Sequence, residues 1–525
     1  MKKKRNLLLL LLLLISFGVG TYYVLEFNNK EVIVTEVEIT SITEIPIDSV
    51  FSKTIDFKSE VIKFNNDTML KFETNFKQGH VKQGSLDGYL TKRSDGYTIK
   101  LKSNTPITTP TIVEDNLYVS GGFGSKSYFC FKIQDGSLIW AIDLDDDGPS
   151  SAIVIGSLLV FNTESCTIFA VDRFTGEMAW SHWLGDPLLS NPVASENRIY
   201  TTYPSLKVYT DTTLTNDYKK IKPSHPFICL DASNGRIIWQ KWLDGDVLKT
   251  PVIVESNIYL TTFPGTVYKL DKTTGDIISC SSLKATSPPS FSENRILITR
   301  RSDDSTGVKE SIAILDAKSL EFIKEFEKTK APYLDYSVQK KSKLKTKSDS
   351  LDLGNGFIGG APVTSGWKLA SSNIGQSNVA SLQLFQPSLV SVYKSNVICL
   401  MGDVIKCVDP LNEKVLWSYK FDIDQITEGG SVASTPIITG NKLITVTLKG
   451  ELLILNCDNG EVLFKKETNK TVRSSPVIKD GIVFIPTTTG ELISVNTNIS
   501  GLEDYPMFMK NSQHDINKNY GQHGI

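Results

Sequence analysis

The sequence predicts an all-β protein, an eight-bladed β-propeller behind one N-terminal transmembrane or signal helix. Three observations predict it. A turn motif, Asp-x-x-Thr/Asn-Gly with an aromatic ring four residues after the glycine, recurs along the chain. A second landmark, a Pro followed by alternating apolar residues and a turn, recurs in phase with the first. The spacing is regular: Asp231 and Asp271 stand 40 residues apart, as do Asn456 and Asn496. Self-similarity at a period of about 20–50 residues is the mark of a repeat architecture.

The chain has 525 residues, with 56 Lys and Arg against 58 Asp and Glu, a net charge of −2. That balance excludes the basic footprint of a general nucleic-acid binder. Hydrophobic residues are 40% and charged residues 22%. This is ordinary globular composition, neither disordered nor polytopic in a membrane.

In chain order, Lys2, Lys3, Lys4 and Arg5 precede an uncharged run from Leu7 to Leu25. A basic patch before an apolar run reads as a secretory signal or a spanning anchor. The stretch from Leu7 to Ile15 has the length of a signal-peptide core, with Gly18 and Gly20 as small residues for cleavage. Continuation through Tyr22, Tyr23, Val24 and Leu25 favours a retained anchor with an aromatic pair at the interface. The charges place the rest of the chain outside the cytoplasm, facing the periplasm or cell exterior. Residues 26–78, with segments such as Val32 to Ile39, read as a strand-rich stalk or linker.

The repeats occupy residues 79–500. Gln134-Asp135-Gly136-Ser-Leu-Ile-Trp140 is the first turn, without the leading Asp. Full copies run from Asp172 through Gly176 to Trp180, and from Asp231 through Gly235 to Trp239. Asp271 and Gly275 begin a copy that ends at Ile278, and Asp316 a weak one that ends near Lys324. Asp409 leads to Trp417, Asn456 through Gly460 to Phe464, and Asn496 starts a degenerate copy. Pro110, Pro192, Pro251, Pro289, Pro387, Pro436 and Pro476 carry the second landmark.

The carboxylate of such a turn accepts turn amides, and the glycine takes the left-handed position. The ring lands on the next strand, where it fills the gap between neighbouring sheets. One such sheet cannot bury both faces, but sheets arranged around an axis can. The last copy stops after Val495, so a strand from Tyr97 to Ser103 is expected to close the ring and remove its open edge.

The A-x-D-x-x-T-G-x-x-x-W frame, clearest at Asp172 to Trp180 and Asp231 to Trp239, resembles the pyrroloquinoline-quinone-type propeller repeat. That family includes quinoprotein dehydrogenases and the non-catalytic propeller lipoprotein of the outer-membrane β-barrel assembly machinery. The resemblance covers residues 100 to 500 and implies eight blades. Residues 329–376, rich in Lys, Ser and Gly, read as an inter-blade insertion. Residues 501–525 read as a tail packing on the ring, with Tyr505-Pro-Met-Phe508 and Gln513-His514-Asp515 similar to segments ending some propellers.

The residues that stand out have structural readings. Family dehydrogenases, as the resemblance implies, use a calcium ion held by Glu and Asn, an Asp base, a Trp floor and often two adjacent cysteines. No adjacent cysteines occur here, and the rest cannot be matched residue by residue. Asp172, Gly176, Trp180, Asp231, Gly235, Trp239, Asp271, Gly275, Asp409, Trp417, Gly460 and Trp140 are therefore assigned to the repeat motif rather than to catalysis. Asp143 to Gly148 imitates the first half of a calcium loop, but Val154 stands where its last acidic ligand belongs, so a solvated acidic loop is expected. The seven cysteines, Cys130, Cys166, Cys229, Cys280, Cys399, Cys407 and Cys457, include no C-x-x-C and read as buried thiols. His80, His182, His225, His514 and His523 have no metal-ligand spacing. Tyr203, Phe263 and Tyr333 in the blade connections read as loop-packing aromatics, with an exposed recognition surface as the alternative.

The function expected is a non-catalytic extracytoplasmic scaffold: a monomeric ring that binds protein partners of the cell envelope, in a setting such as envelope protein assembly. It would need no cofactor, touch the membrane through its N-terminal helix and bind no nucleic acid. The rival readings are a quinone-dependent dehydrogenase and a glycan- or ligand-binding sensor using the central depression.

Overall fold

A computed structural model of the chain describes residues 76–511, apart from 87, 165–166, 185–189, 204–224, 305–306, 331–389, 423–431 and 508. The expected N-terminal helix and most of the stalk, most of the insertion, and Cys166, Tyr333, Phe508, Gln513, His514, Asp515 and His523 lie outside these residues. Among the described residues no helix is long and apolar enough to cross a membrane.

Eight antiparallel sheets follow one another around an axis. Blade 1 spans 111–144, blade 2 153–183, blade 3 193–243, blade 4 252–282, blade 5 290–330, blade 6 390–420, blade 7 437–467 and blade 8 477–496. Each begins with a short innermost strand, such as Thr111–Val113, Val252–Val254 or Val477–Lys479. Pro110, Pro192, Pro251, Pro289, Pro436 and Pro476 stand directly before innermost strands. A residue without a backbone donor is tolerated where a strand starts. The innermost strands touch their neighbours around the ring, Val477–Lys479 meeting Thr111–Val113.

Closure is made by the N-terminal side of the chain. Gly96–Leu101 pairs antiparallel with Glu491–Asn496, Thr98 opposite Ile493, so it supplies the missing fourth strand of blade 8. The expected closing strand is thus present, two residues shorter at its end and one longer at its start. Gly88–Arg93 then adds a fifth strand to the same blade, and Val81–Gln83 adds one to blade 1 against Leu138–Leu144. These outer additions have no strong sequence signal, being short and polar. Phe76 packs beside His182 and Tyr203, and Lys77 bridges to Trp183, so the chain follows the rim of blade 2 before reaching blade 1.

The core lies between blades rather than under one sheet. Tyr118 and Cys130 of blade 1 share a cluster with Phe161, Phe169 and Val171 of blade 2, and Tyr128 stacks on Phe161 at 4.4 Å between ring centres. Blades 6 and 7 meet in the same way through Ile405, Cys407, Leu453 and Cys457.

An antiparallel meander sorts its connections onto two faces. The turn face carries the turns after each first and third strand, including every Asp motif. The loop face carries the turns after each second strand and the connections between blades. The connections that leave Thr202 and Lys330, the longest in the molecule, both leave the loop face. Thr329 and Lys330, at the start of the expected insertion, still belong to the last strand of blade 5.

Tyr203 and Phe263 are 1% and 5% exposed, which fits loop packing and not a recognition surface. Tyr203 is held by Gln240 and Phe76, and the Phe263 amide by the Asp246 carbonyl, because these connections fold back over the blades. Contrary to expectation, the acidic run after blade 1 is not simply solvated: Asp146 is buried and accepts bonds of 2.6 Å from the hydroxyls of Thr163 and Thr167.

Candidate functional site

The Asp motif builds a turn. Asp172 accepts from the amides of Phe174 and Thr175 at 2.9 Å, and Asp271 from those of Thr273 and Thr274 at 2.7 and 2.9 Å. Asp231 accepts from the Ser233 amide and hydroxyl, and Asp409 from the amides of Leu411 and Asn412. The hydroxyl of Ser233 holds the Asp231 carboxyl below its ordinary value, and the Leu411 amide does the same for Asp409. Gly176, Gly235, Gly275 and Gly460 have φ between 69° and 76°, the left-handed region open to glycine.

The ring that follows docks on the next blade. The indole N–H of Trp140 donates to the carbonyl of Arg173 at 3.0 Å, that of Trp180 to Ala232 at 2.8 Å and that of Trp417 to Cys457 at 2.8 Å. Trp239 reaches Lys272 at 3.4 Å, a carbonyl it shares with the Tyr200 hydroxyl at 3.1 Å. In every case the acceptor is the residue directly after the next blade's motif Asp or Asn. The same ring lies where that blade's glycine would carry a side chain. A Cβ on Gly235 would come within 2.7 Å of Trp180, one on Gly275 within 2.5 Å of Trp239 and one on Gly460 within 2.7 Å of Trp417. These glycines thus answer two needs, a left-handed φ and room for a neighbour's indole.

Where the Trp is missing, another donor takes its place. In blade 5 Lys324 stands at the Trp position and its ammonium donates to the Pro410 carbonyl at 2.9 Å. In blade 4 Ser279 stands there, and the Tyr259 hydroxyl donates to Ala317 at 2.9 Å instead. Sequence reasoning missed both, because neither residue resembles an aromatic in that position.

The remaining buried charge is also occupied. Asp244 accepts from Thr262 and Thr266 at 2.7 and 2.6 Å, as Asp146 does in blade 2, and burial raises its pKa. Arg300 pairs with Glu325 at 3.1 Å, and Glu310 accepts from Thr286 at 2.8 Å. Glu491 is met by Lys470 at 2.9 Å. Among the described residues no three His, Cys, Asp or Glu side chains converge as a metal site would require. His182 faces the Gly235 carbonyl at 2.7 Å, and His80 pairs with Asp145 at 2.9 Å.

On the turn face the C-terminal segment crosses the ring. The Thr439 hydroxyl of blade 7 donates to the Glu503 carbonyl at 2.8 Å. Tyr505 exchanges two backbone bonds of 2.9 Å with Ile478 of blade 8, and the Ile112 amide of blade 1 donates to Pro506 at 2.7 Å. Met507 joins the cluster of blades 1 and 2, and Met509 packs on Val252 of blade 4. The segment covers part of the central mouth and leaves a recess of about 290 Å³ beside blades 5, 6 and 7.

The repeat family described as "Outer membrane protein assembly factor BamB" matches residues 93–215, 222–300 and 401–500, more than half of the chain. No curated protein matches the chain significantly. Among solved structures, Sqt1 from Saccharomyces cerevisiae is 9% identical with a TM-score of 0.50, over 75% of this chain and 97% of that one. BamB from Moraxella catarrhalis is 12% identical, over 81% of this chain and 98% of that one, with a TM-score of 0.38. Quinohemoprotein alcohol dehydrogenase from Comamonas testosteroni is 11% identical, over 81% and 78%, with a TM-score of 0.46.

Proposed function

The chain belongs to the family described as outer membrane protein assembly factor BamB, and on that premise we propose that it is a non-catalytic scaffold that binds protein partners in the cell envelope. The ring would stand outside the cytoplasm, held by the apolar segment from Leu7 to Leu25, and would serve the assembly of envelope proteins. One observation carries the non-catalytic part. The recurring Asp and Trp side chains are engaged in turns and blade docking, so the repeat holds the ring together and chemistry is not what it encodes. Partners would meet the loop face, from which the longest connections leave.

The test is crosslinking in intact cells. A photo-reactive residue placed at Lys126, Lys449 or Thr489, exposed on the loop face, should capture a discrete envelope protein. The same residue at Phe174 or Leu411 on the turn face should capture far less. Equal capture from both faces, or none from either, would refute the reading. Incubation with pyrroloquinoline quinone and calcium should give neither dye-linked alcohol oxidation nor a rise in melting temperature; turnover would reinstate the dehydrogenase.

A further inference from the structure

The recess on the turn face is built unlike the rest of the ring. Ser292 closes it from blade 5, Ser391 from blade 6 and Tyr505 from the C-terminal segment. Among the described residues none of these three hydroxyls has a hydrogen-bond partner. Two belong to enclosed side chains: Tyr505 is 4% exposed and Ser391 5%. Neither hydroxyl oxygen is sealed from solvent, so each is open to bond whatever enters the recess. The Tyr505 main chain is fixed by both its bonds to Ile478, so the ring is held at the recess. Burial alone raises the pKa of its hydroxyl, with no hydrogen bond acting against it.

The charge around the recess is balanced. Lys394 is paired with Asp458 at 2.7 Å, and Glu503 and Lys510 bring one charge of each sign. Neither an anion nor a cation is favoured by such a field. A hydroxyl both donates and accepts, so three of them suit a ligand whose own groups do the same. Val392 and Ile437 supply apolar wall between the polar groups. The volume, about 290 Å³, falls just below the usual range of ligand sites, which starts at about 300 Å³, and so suits a small ligand.

We propose that this recess binds a neutral polyhydroxylated small molecule, a mono- or disaccharide or a polyol, through the hydroxyls of Ser292, Ser391 and Tyr505. It lies on the face opposite the one assigned to protein partners, so the two readings fail separately. Occupancy would also clamp the C-terminal segment onto blades 5 and 6.

The full chain would be titrated by calorimetry and saturation-transfer NMR with glucose, ribose, N-acetylglucosamine, maltose and myo-inositol, with citrate and spermidine as charged controls. At least one neutral probe should bind saturably. Tyr505→Phe and Ser391→Ala should each weaken that binding about five- to tenfold, the loss of one bond. Neither should lower the melting temperature, because neither hydroxyl bonds within the ring. The proposal is overturned if no neutral probe saturates by about 50 mM, a floor set by millimolar affinities being worth only about 4 kcal/mol. Binding indifferent to both substitutions, or tighter binding of citrate or spermidine, would overturn it equally.

Discussion

The hydroxyl of Tyr97 donates to the carbonyl of Ile133, 2.9 Å away, across the seam where the ring closes. Its ring lies where a Cβ on Gly136 would stand, so Tyr97 does for blade 8 what Trp180 does for blade 2. Tyr97→Phe should lose about 1 kcal/mol, the value of one hydrogen bond. Tyr97→Ala should lose about 3–5 kcal/mol through the cavity. Chemical denaturation measures both, and faster amide exchange across Glu491–Asn496 should accompany the second. A Tyr97→Ala protein as stable as the parent would show that the seam is held elsewhere.

Gly235→Ala should destabilise by about 1–3 kcal/mol, since its methyl must sit 2.7 Å from the Trp180 ring at φ 69°. Part of that penalty should vanish when Trp180 is already Ala, leaving the backbone strain and the 2.8 Å approach to His182. A double-mutant cycle would then show a coupling above about 0.5 kcal/mol. Simple additivity would separate the ring from the glycine.

His225 sets an acid limit. Burial drives its pKa from 6.5 down to about 3, so the folded state keeps it neutral while the unfolded chain takes up a proton below pH 6.5. Between those values the unfolded state binds more protons, and stability falls as the pH falls. The cost approaches about 1.4 kcal/mol per pH unit for this one group. Urea midpoints measured from pH 7 to pH 4 should drop, and His225→Phe should flatten the slope over that range.

The six described thiols are buried and none is in a disulfide. Desolvation pushes Cys130, Cys229 and Cys457 up to about 12 and Cys407 up to about 11. The thiolate is the reactive species, so these groups should be inert. Ellman's reagent should label no more than Cys166 in the folded protein and all seven cysteines in guanidinium. Rapid labelling of two or more thiols without denaturant would contradict the packing between blades.

What could be read in advance was the part of the molecule in which side-chain identity is itself the signal. Asp172, Gly176 and Trp180 recur because turn geometry and inter-blade volume admit few residue types, and so the blades and their closing strand were legible. The acceptor of each indole was not, because a backbone carbonyl such as that of Ala232 leaves no trace in the sequence. Lys324 and Tyr259 were invisible as stand-ins for the same reason: the demand is for a donor of the right reach, not for a ring. For Tyr203 and Phe263 the sequence left packing and exposure both open, because nothing in it shows that their connections fold back over the blades. Asp146 was misjudged because the two threonines that meet it lie on another blade. The recess could not have been foreseen, since Ser292, Ser391 and Tyr505 come together only when the tail crosses the ring.

The order in which the chain is made has a bearing on the seam. Thr98 and Lys100 find their partners only at Ile493 and Glu491. The hairpin of Gly88–Arg93 and Gly96–Leu101 can therefore form early in synthesis, but its second edge is paired only at the end. A chain cut short before residue 491 is not a smaller propeller but an open arc of blades, with the Gly96–Leu101 edge left unpaired. Any factor that shields such edges would be needed for nearly the whole time of translation, and proteolysis of unfinished chains should begin at the segment from Gly88 to Leu101.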